Sequence, residues 1–113
     1  MRAFACVIAL LFGCLQGNAG AVTMIGVYRC ADWVDPQKHE LAKTWLYGYV
    51  SGIDEVLYSD FEVMKIPVRD VLTRLKSTTE FDAWVDGYCK ANPMRDLADG
   101  GVAYMKQLAA QPD

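Results

Sequence analysis

Two cysteines and one histidine are the residues in this chain whose types could do nucleophilic or metal chemistry. Cys30 and Cys89 lie far apart in sequence, and His39 is the single histidine. A cysteine nucleophile needs a base to draw off its proton, and His39 sits in "DPQKHE" between Lys38 and Glu40, in what reads as the exposed first turn of a helix. A zinc site would have to gather Cys30, Cys89, His39 and a carboxylate with no C-x-x-C spacing to help. Oxidation is the simpler chemistry. Of four cysteines, Cys6 and Cys14 fall in an N-terminal apolar segment, which leaves Cys30 and Cys89 as an even pair. In an exported chain such a pair reads first as a disulfide. Closing a loop of about 60 residues restricts the unfolded chain by ~4 kcal/mol, comparable with the net stability of a small domain. The expectation is therefore a Cys30–Cys89 bridge, with no catalytic residue, no metal ligand and no cofactor.

That expectation depends on export. Arg2 precedes an apolar run from Ala3 to Leu15, and "NAGA" places Ala19 and Ala21 as the small residues of a cleavage site. The run is shorter than the roughly 20 residues a membrane span needs. It reads as a signal peptide over residues 1–21, leaving one domain over 22–113. A buried N-terminal helix is the plainer reading of the same run. In "LFGC", Gly13 before Cys14 also suggests a lipobox that would anchor the chain, although Phe12 fits that motif poorly. The 113-residue chain has 11 basic and 14 acidic residues, and cleavage would remove one of the basic ones, Arg2. A mildly acidic surface argues against nucleic acid and anionic membranes as partners. No later apolar stretch is long enough to span a membrane.

Pro, Gly and Asn punctuation divides the remainder into an arm (residues 22–33) and four helical segments. Asp35 as N-cap and Pro36 at the first helical position open the first helix, which should run to about Ser59. Leu41, Trp45, Tyr49, Gly52 and Val56 share one face, with Leu46, Val50, Ile53 and Leu57 beside them. Gly48 and Gly52, one turn apart, each cost a helix about 1 kcal/mol relative to alanine. Close approach of a neighbouring helix would explain them, and a ligand cleft is the functional alternative. Asp54, Glu55, Asp60 and Glu62 make the C-terminal end of this helix acidic, as either a solvated surface or a partner-binding patch. A second helix is expected from Pro67, with Val68, Val71, Leu72 and Leu75 inward and Arg69, Arg74 and Lys76 in water. Ser77 and Glu80 form a capping box for a third helix, whose stripe is Phe81, Trp84, Val85, Tyr88 and Cys89. Asn92 and Pro93 end that helix and open a fourth, with Met94, Leu97, Ala98, Gly101, Val102, Met105 and Leu108 on its face. The fold class expected is all-α: a small four-helix, orthogonal or bundle-like domain with one disulfide. No phosphate-binding loop, G-x-S-x-G or paired-histidine motif is present.

"YRCADWV", "WLYGYVSGIDEV" and "FDAWVDGYCKANPMRDLADGGVAYMKQL" together resemble a group of small exported proteobacterial proteins carrying C-x-x-W, W-x-x-G-[FY]-x-S-G and W-[VL]-D-x-Y-C-x-x-[NH]-P segments. More distantly the chain is similar to the HdeA/HdeB-type periplasmic acid-stress chaperones, in which one disulfide joins an early cysteine to a later helix. It is also similar to the immunity proteins that block type VI amidase effectors, through Gly48, Tyr49 and Gly52. Trp45 stands near where that family often has an additional cysteine. The resemblance implies periplasmic placement and a non-enzymatic role. Under it, the chain holds protein clients in acid, or blocks one protein partner such as a cell-wall hydrolase effector. Residues 58–67, "YSDFEVMKIP", are the occluding loop in the second case. The candidate partner-binding residues are Trp45, Tyr49, Gly48, Gly52, Asp60, Glu62, Trp84 and Tyr88. Pairing of two copies as a homodimer stands beside these partners.

Overall fold

A computed structural model of the chain describes residues 25–59, 68 and 70–112. The expected signal segment with Cys14, and Asp60, Glu62 and Pro67, lie outside the described residues. Those described form four α-helices and a 3-10 turn, with no β-strand among them: α1 (Cys30–Val34), α2 (His39–Ser59), the 3-10 turn (Val71–Arg74), α3 (Thr78–Ala91) and α4 (Leu97–Ala109). The all-α, disulfide-bridged class holds, but one helix is exchanged for another. The described residues after Pro67 make only the 3-10 turn, while α1 begins in the expected arm.

Five residues are too few for a helix to persist by propensity, so α1 is held by what it buries. Cys30 and Trp33 are buried, and Asp32 Oδ2 accepts the backbone N–H of Arg29 at 2.8 Å. The strand-like stretch before α1 pairs with the stretch before α4: Cys30 N donates to the Arg95 carbonyl and Leu97 N to that of Tyr28. The disulfide then joins Cys30 of α1 to Cys89 of α3, with Cα atoms 4.8 Å apart.

The core is filled by Leu46, Val50 and Leu57 of α2, Phe81 and Val85 of α3, and Leu97, Tyr104, Met105 and Leu108 of α4. Close helix approach does occur, but at different glycines from those expected. A Cβ on Gly101 of α4 would lie 2.8 Å from Leu46 Cδ1 and 2.9 Å from Val50 Cγ1, and one on Gly100 would lie 2.9 Å from Tyr88 Cδ1. The α2–α4 contact is thus set by Gly101. Tyr47 adds a polar tie from α2 to α3 by donating to Asp82 Oδ1 at 2.6 Å. Burial and that carboxylate push the phenol up to about 12.

Helix boundaries depart from expectation in two places. Asp35 and Pro36 form a turn ahead of α2, with Gln37 N on Asp35 Oδ1, and the helix itself begins at His39. Asn92 ends α3 but does not open α4, because its amide donates back to the Tyr88 carbonyl. The next helix is capped at Asp96, and Met94 is left 84% exposed rather than inward. At the start of α3 the Ser77 half of the expected box forms, with Ser77 Oγ accepting from Glu80 N.

The 3-10 turn straps α2 to α4. Asp54 Oδ1 on α2 accepts Val71 N at 2.7 Å and Leu72 N at 3.2 Å. Arg74, expected in water, instead donates to the carbonyls of Leu108, Ala109 and Gln111 at the end of α4. A cation there meets the partial negative charge of a helix C-terminus. Asp54 titrates above the ordinary carboxylate range, because burial and the neighbouring Asp70 outweigh the two backbone N–H donors.

Candidate protein-binding face

Of the stripe Leu41, Trp45, Tyr49, Gly52 and Val56 on α2, Leu41, Gly52 and Val56 are exposed, while Trp45 and Tyr49 stay half-buried against the core. Ala42, Leu46, Val50 and Leu57 are buried, whereas Leu41 is 64% and Val56 50% exposed. Both sides of α2 are apolar, and only one fits against α3 and α4. Gly48 and Gly52 lie on the exposed side, and a Cβ at either would meet nothing within 4 Å. Nothing in the described chain therefore presses on them, which corrects the expectation that a neighbouring helix does. Gly48, Tyr49, Gly52, Ile53 and Val56 line a shallow apolar trough of about 340 Å³.

Trp45 and Tyr49 form one wall of this face. Their rings stack at 5.1 Å and 10°, and Tyr28 leans on Trp45 at 6.0 Å. Both are half-buried, so each presents a rigid edge whose ordering has already been achieved by intramolecular packing. Glu40 is exposed and ion-paired with Lys43 at 3.1 Å, and Glu55 is also exposed.

Trp84 and Tyr88 are not part of that face. They stack on each other at 5.5 Å on α3, with Trp84 against Tyr104 and its Nε1–H donated to Gln107. No ring contact among the described residues joins them to Trp45 or Tyr49. The Tyr88 ring covers Gly100, so it is occupied in holding α3 to α4. The structure thus brings together Trp45, Gly48, Tyr49 and Gly52, and separates Trp84 and Tyr88 from them.

Sequence reading missed a second hollow, of about 440 Å³, between α1, α2 and α3, with Trp33, His39, Glu40, Asp86 and Lys90 on its lining. Trp33 Nε1 donates to Asp86 Oδ1 at 2.6 Å. His39 Nδ1 lies 2.7 Å from the Trp33 carbonyl, which can only accept, so Nδ1 carries the proton. The imidazole meets the indole edge-on at 4.6 Å, and is half-buried rather than free in an exposed turn. Asp86 and Lys90, one turn apart on α3, were the available signal. Cys89 sits in the disulfide and offers no thiolate here. Among the described residues no group of three or more His, Cys, Asp or Glu side chains is placed to hold a metal ion, and no helix is long and apolar enough to cross a membrane.

Comparison of the chain with protein-family models, curated proteins and solved structures finds no match.

Proposed function

We propose that this chain is a non-enzymatic, exported protein-binding module whose contact surface is the outer face of α2, acting as an HdeA-like holder of protein clients in acid. The observation that carries the reading is the exposed Gly48–Gly52 pair. Two mid-helix glycines weaken α2 by about 1 kcal/mol each, and no packing contact among the described residues requires them. A partner lying close along the helix backbone supplies the reason. The flanking Leu41, Val56 and the Trp45–Tyr49 stack supply apolar area for it, and aromatic anchors carry much of the binding energy in protein contacts.

Acid is the second part of the reading. Near pH 2 the 14 carboxylates are protonated while the basic residues stay charged. The net charge then turns strongly positive, and self-repulsion loosens the packing around the disulfide. The decisive experiment measures suppression of client aggregation below pH 3 by the oxidised chain and by the Gly48→Ala/Gly52→Ala variant. Expected are suppression by the first and marked weakening in the second, despite its more stable helix. Equal suppression by both would remove the α2 face from the reading, and none by either would remove the chaperone role.

One observation favours a second reading, as an immunity or inhibitor protein that blocks a periplasmic cell-wall hydrolase. The Trp45–Tyr49 face is already formed in the folded chain, as a specific neutral-pH inhibitor would need. Tight binding to a single hydrolase at pH 7, lost in the same glycine variant, would select this reading over the first.

A further inference from the structure

A separate groove runs between α2, the 3-10 turn and α4, with a volume of about 330 Å³. Leu57, Val71 and Met105 form its floor, each 4% exposed or less. Tyr49, Ile53 and Val102 form half-buried walls. Lys106, in the last turn of α4, is the charged residue on its lining. Its side chain is exposed, and among the described residues no carboxylate pairs with it.

We propose that this groove binds a single-chain anionic amphiphile, a medium-chain fatty carboxylate, with its tail on Leu57, Val71 and Met105 and its headgroup on the Lys106 ammonium. Two features select that chemistry. The volume lies at the lower end of small-molecule sites, which are mostly apolar with a few placed polar groups. A peptide segment would bring backbone N–H and C=O groups into a lining whose side-chain polar groups are only the Tyr49 hydroxyl and Lys106, and unpaired buried backbone groups are costly. A methylene chain carries no such groups. The sign of the headgroup follows from Lys106, a cation with no carboxylate partner among the described residues. The groove shares Tyr49 and Ile53 with the trough beside Gly48 and Gly52, but its floor of Leu57, Val71 and Met105 is no part of that trough.

The test is calorimetric titration of the oxidised chain at pH 7 with octanoate, decanoate, decanol and decyltrimethylammonium, all below their micellar concentrations. Trp45, stacked on Tyr49 at the groove wall, gives a parallel fluorescence signal. Expected is saturable one-to-one binding of decanoate, with affinity rising about fourfold per added methylene. Lys106→Gln should weaken decanoate about threefold to fivefold and leave decanol unchanged, in keeping with an exposed charge pair. Val102→Trp, which fills the groove, should abolish binding of both while the chain stays folded by thermal melting; Val102→Phe takes its place should the larger residue prevent folding. Equal affinity for the carboxylate and the quaternary ammonium, no effect of Lys106→Gln, or binding that survives a filled groove would each overturn the proposal. So would the absence of saturable binding.

Discussion

Alanine substitution at four helical glycines is expected to divide them by sign. Each change gains up to about 1 kcal/mol from helix propensity and from a less flexible unfolded chain. At Gly48 and Gly52 that gain is undiminished, because among the described residues the new methyl meets nothing within 4 Å. Gly101 is the opposite case. Its methyl would lie 2.8 Å from Leu46 Cδ1 and 2.9 Å from Val50 Cγ1, well inside the roughly 3.5–4.0 Å of a relaxed carbon contact. Leu46 is 0% and Val50 4% exposed, and Val50 is β-branched with one strongly preferred rotamer in a helix. Neither can swing away, so α2 and α4 must separate. Overpacking of this kind costs about 1–3 kcal/mol, which offsets the propensity gain and leaves a net loss of up to about 2 kcal/mol. Gly100 falls between, since it faces the Tyr88 ring at 2.9 Å, and that half-buried ring can slide outward along Trp84. Urea unfolding followed by tryptophan fluorescence would order the variants as Gly48→Ala and Gly52→Ala above the parent, Gly100→Ala near it and Gly101→Ala below. The comparison is valid while the m value stays constant. A Gly101→Ala variant as stable as Gly48→Ala would refute the packing argument, and so would a monomeric Gly48→Ala variant less stable than the parent.

Replacing both Cys30 and Cys89 by serine releases a loop of 59 residues and should lower stability by ~4 kcal/mol, read as a fall in the urea midpoint; an unchanged midpoint would deny the bridge its structural role. Asp86→Leu leaves the indole N–H of Trp33, 1% exposed, without its acceptor, and should cost about 1–3 kcal/mol by the same assay. Asp54→Asn tests the strap through pH. The Asp54 pKa is raised, so the folded chain binds that proton more tightly than the unfolded one. Its contribution to stability therefore grows as pH falls through the raised value, is complete below the unfolded value, and is lost again as pH rises. The asparagine variant should lose this segment of the stability–pH curve, and an identical curve would refute the assignment.

How much of this was legible depended on whether the deciding interaction was local. Ser77 and Glu80 are three residues apart, so their cap could be read directly, and the buried Phe81, Val85 and Cys89 of α3 followed from period alone. Asn92-Pro93 is also a local signal, but it suits an ending and a beginning equally. The choice was made by distant residues, because Tyr28 and Cys30 pair with the backbone at Leu97 and Arg95 and keep that stretch extended. The same nonlocal support produced α1, which is too short to show a periodicity. In α2 the period was right and the phase was ambiguous, since Leu41 and Val56 on one side are as apolar as Leu46 and Leu57 on the other. Gly101 resolves it in space: the helix face that Gly101 admits is the one carrying Leu46 and Val50. Of the candidate contact residues, Trp45, Gly48, Tyr49 and Gly52 lie together because they share one helix. Trp84 and Tyr88 lie apart from them, because only the fold assigns their rings to α4.

The titrating groups also decide where acid acts first. Asp32 has its pKa lowered, chiefly by the backbone N–H of Arg29 and then by Lys38, whose ammonium is 3.2 Å away. Its support for the α1 end is present above the unfolded pKa and is lost as pH falls through the lowered folded value. Asp54 has the opposite sign, so the strap between α2 and α4 is not weakened by its protonation. Rising positive charge thus acts on a chain whose α1–α2 junction is losing a clasp while its α2–α4 junction keeps one. The disulfide prevents α1 from leaving, because Cys30 remains fixed to α3. Acid loosening should then begin where α1 meets α2, freeing the Trp33–His39 contact and the base of α2 while the Leu46–Gly101 packing persists. Amide exchange at pH 3 tests this order: protection at Trp33 and Ala42 should fall before protection at Val71 and Leu72. The reverse order would place the weak joint at the strap, and the outer face of α2 would then be lost as a surface under the conditions in which a client needs it.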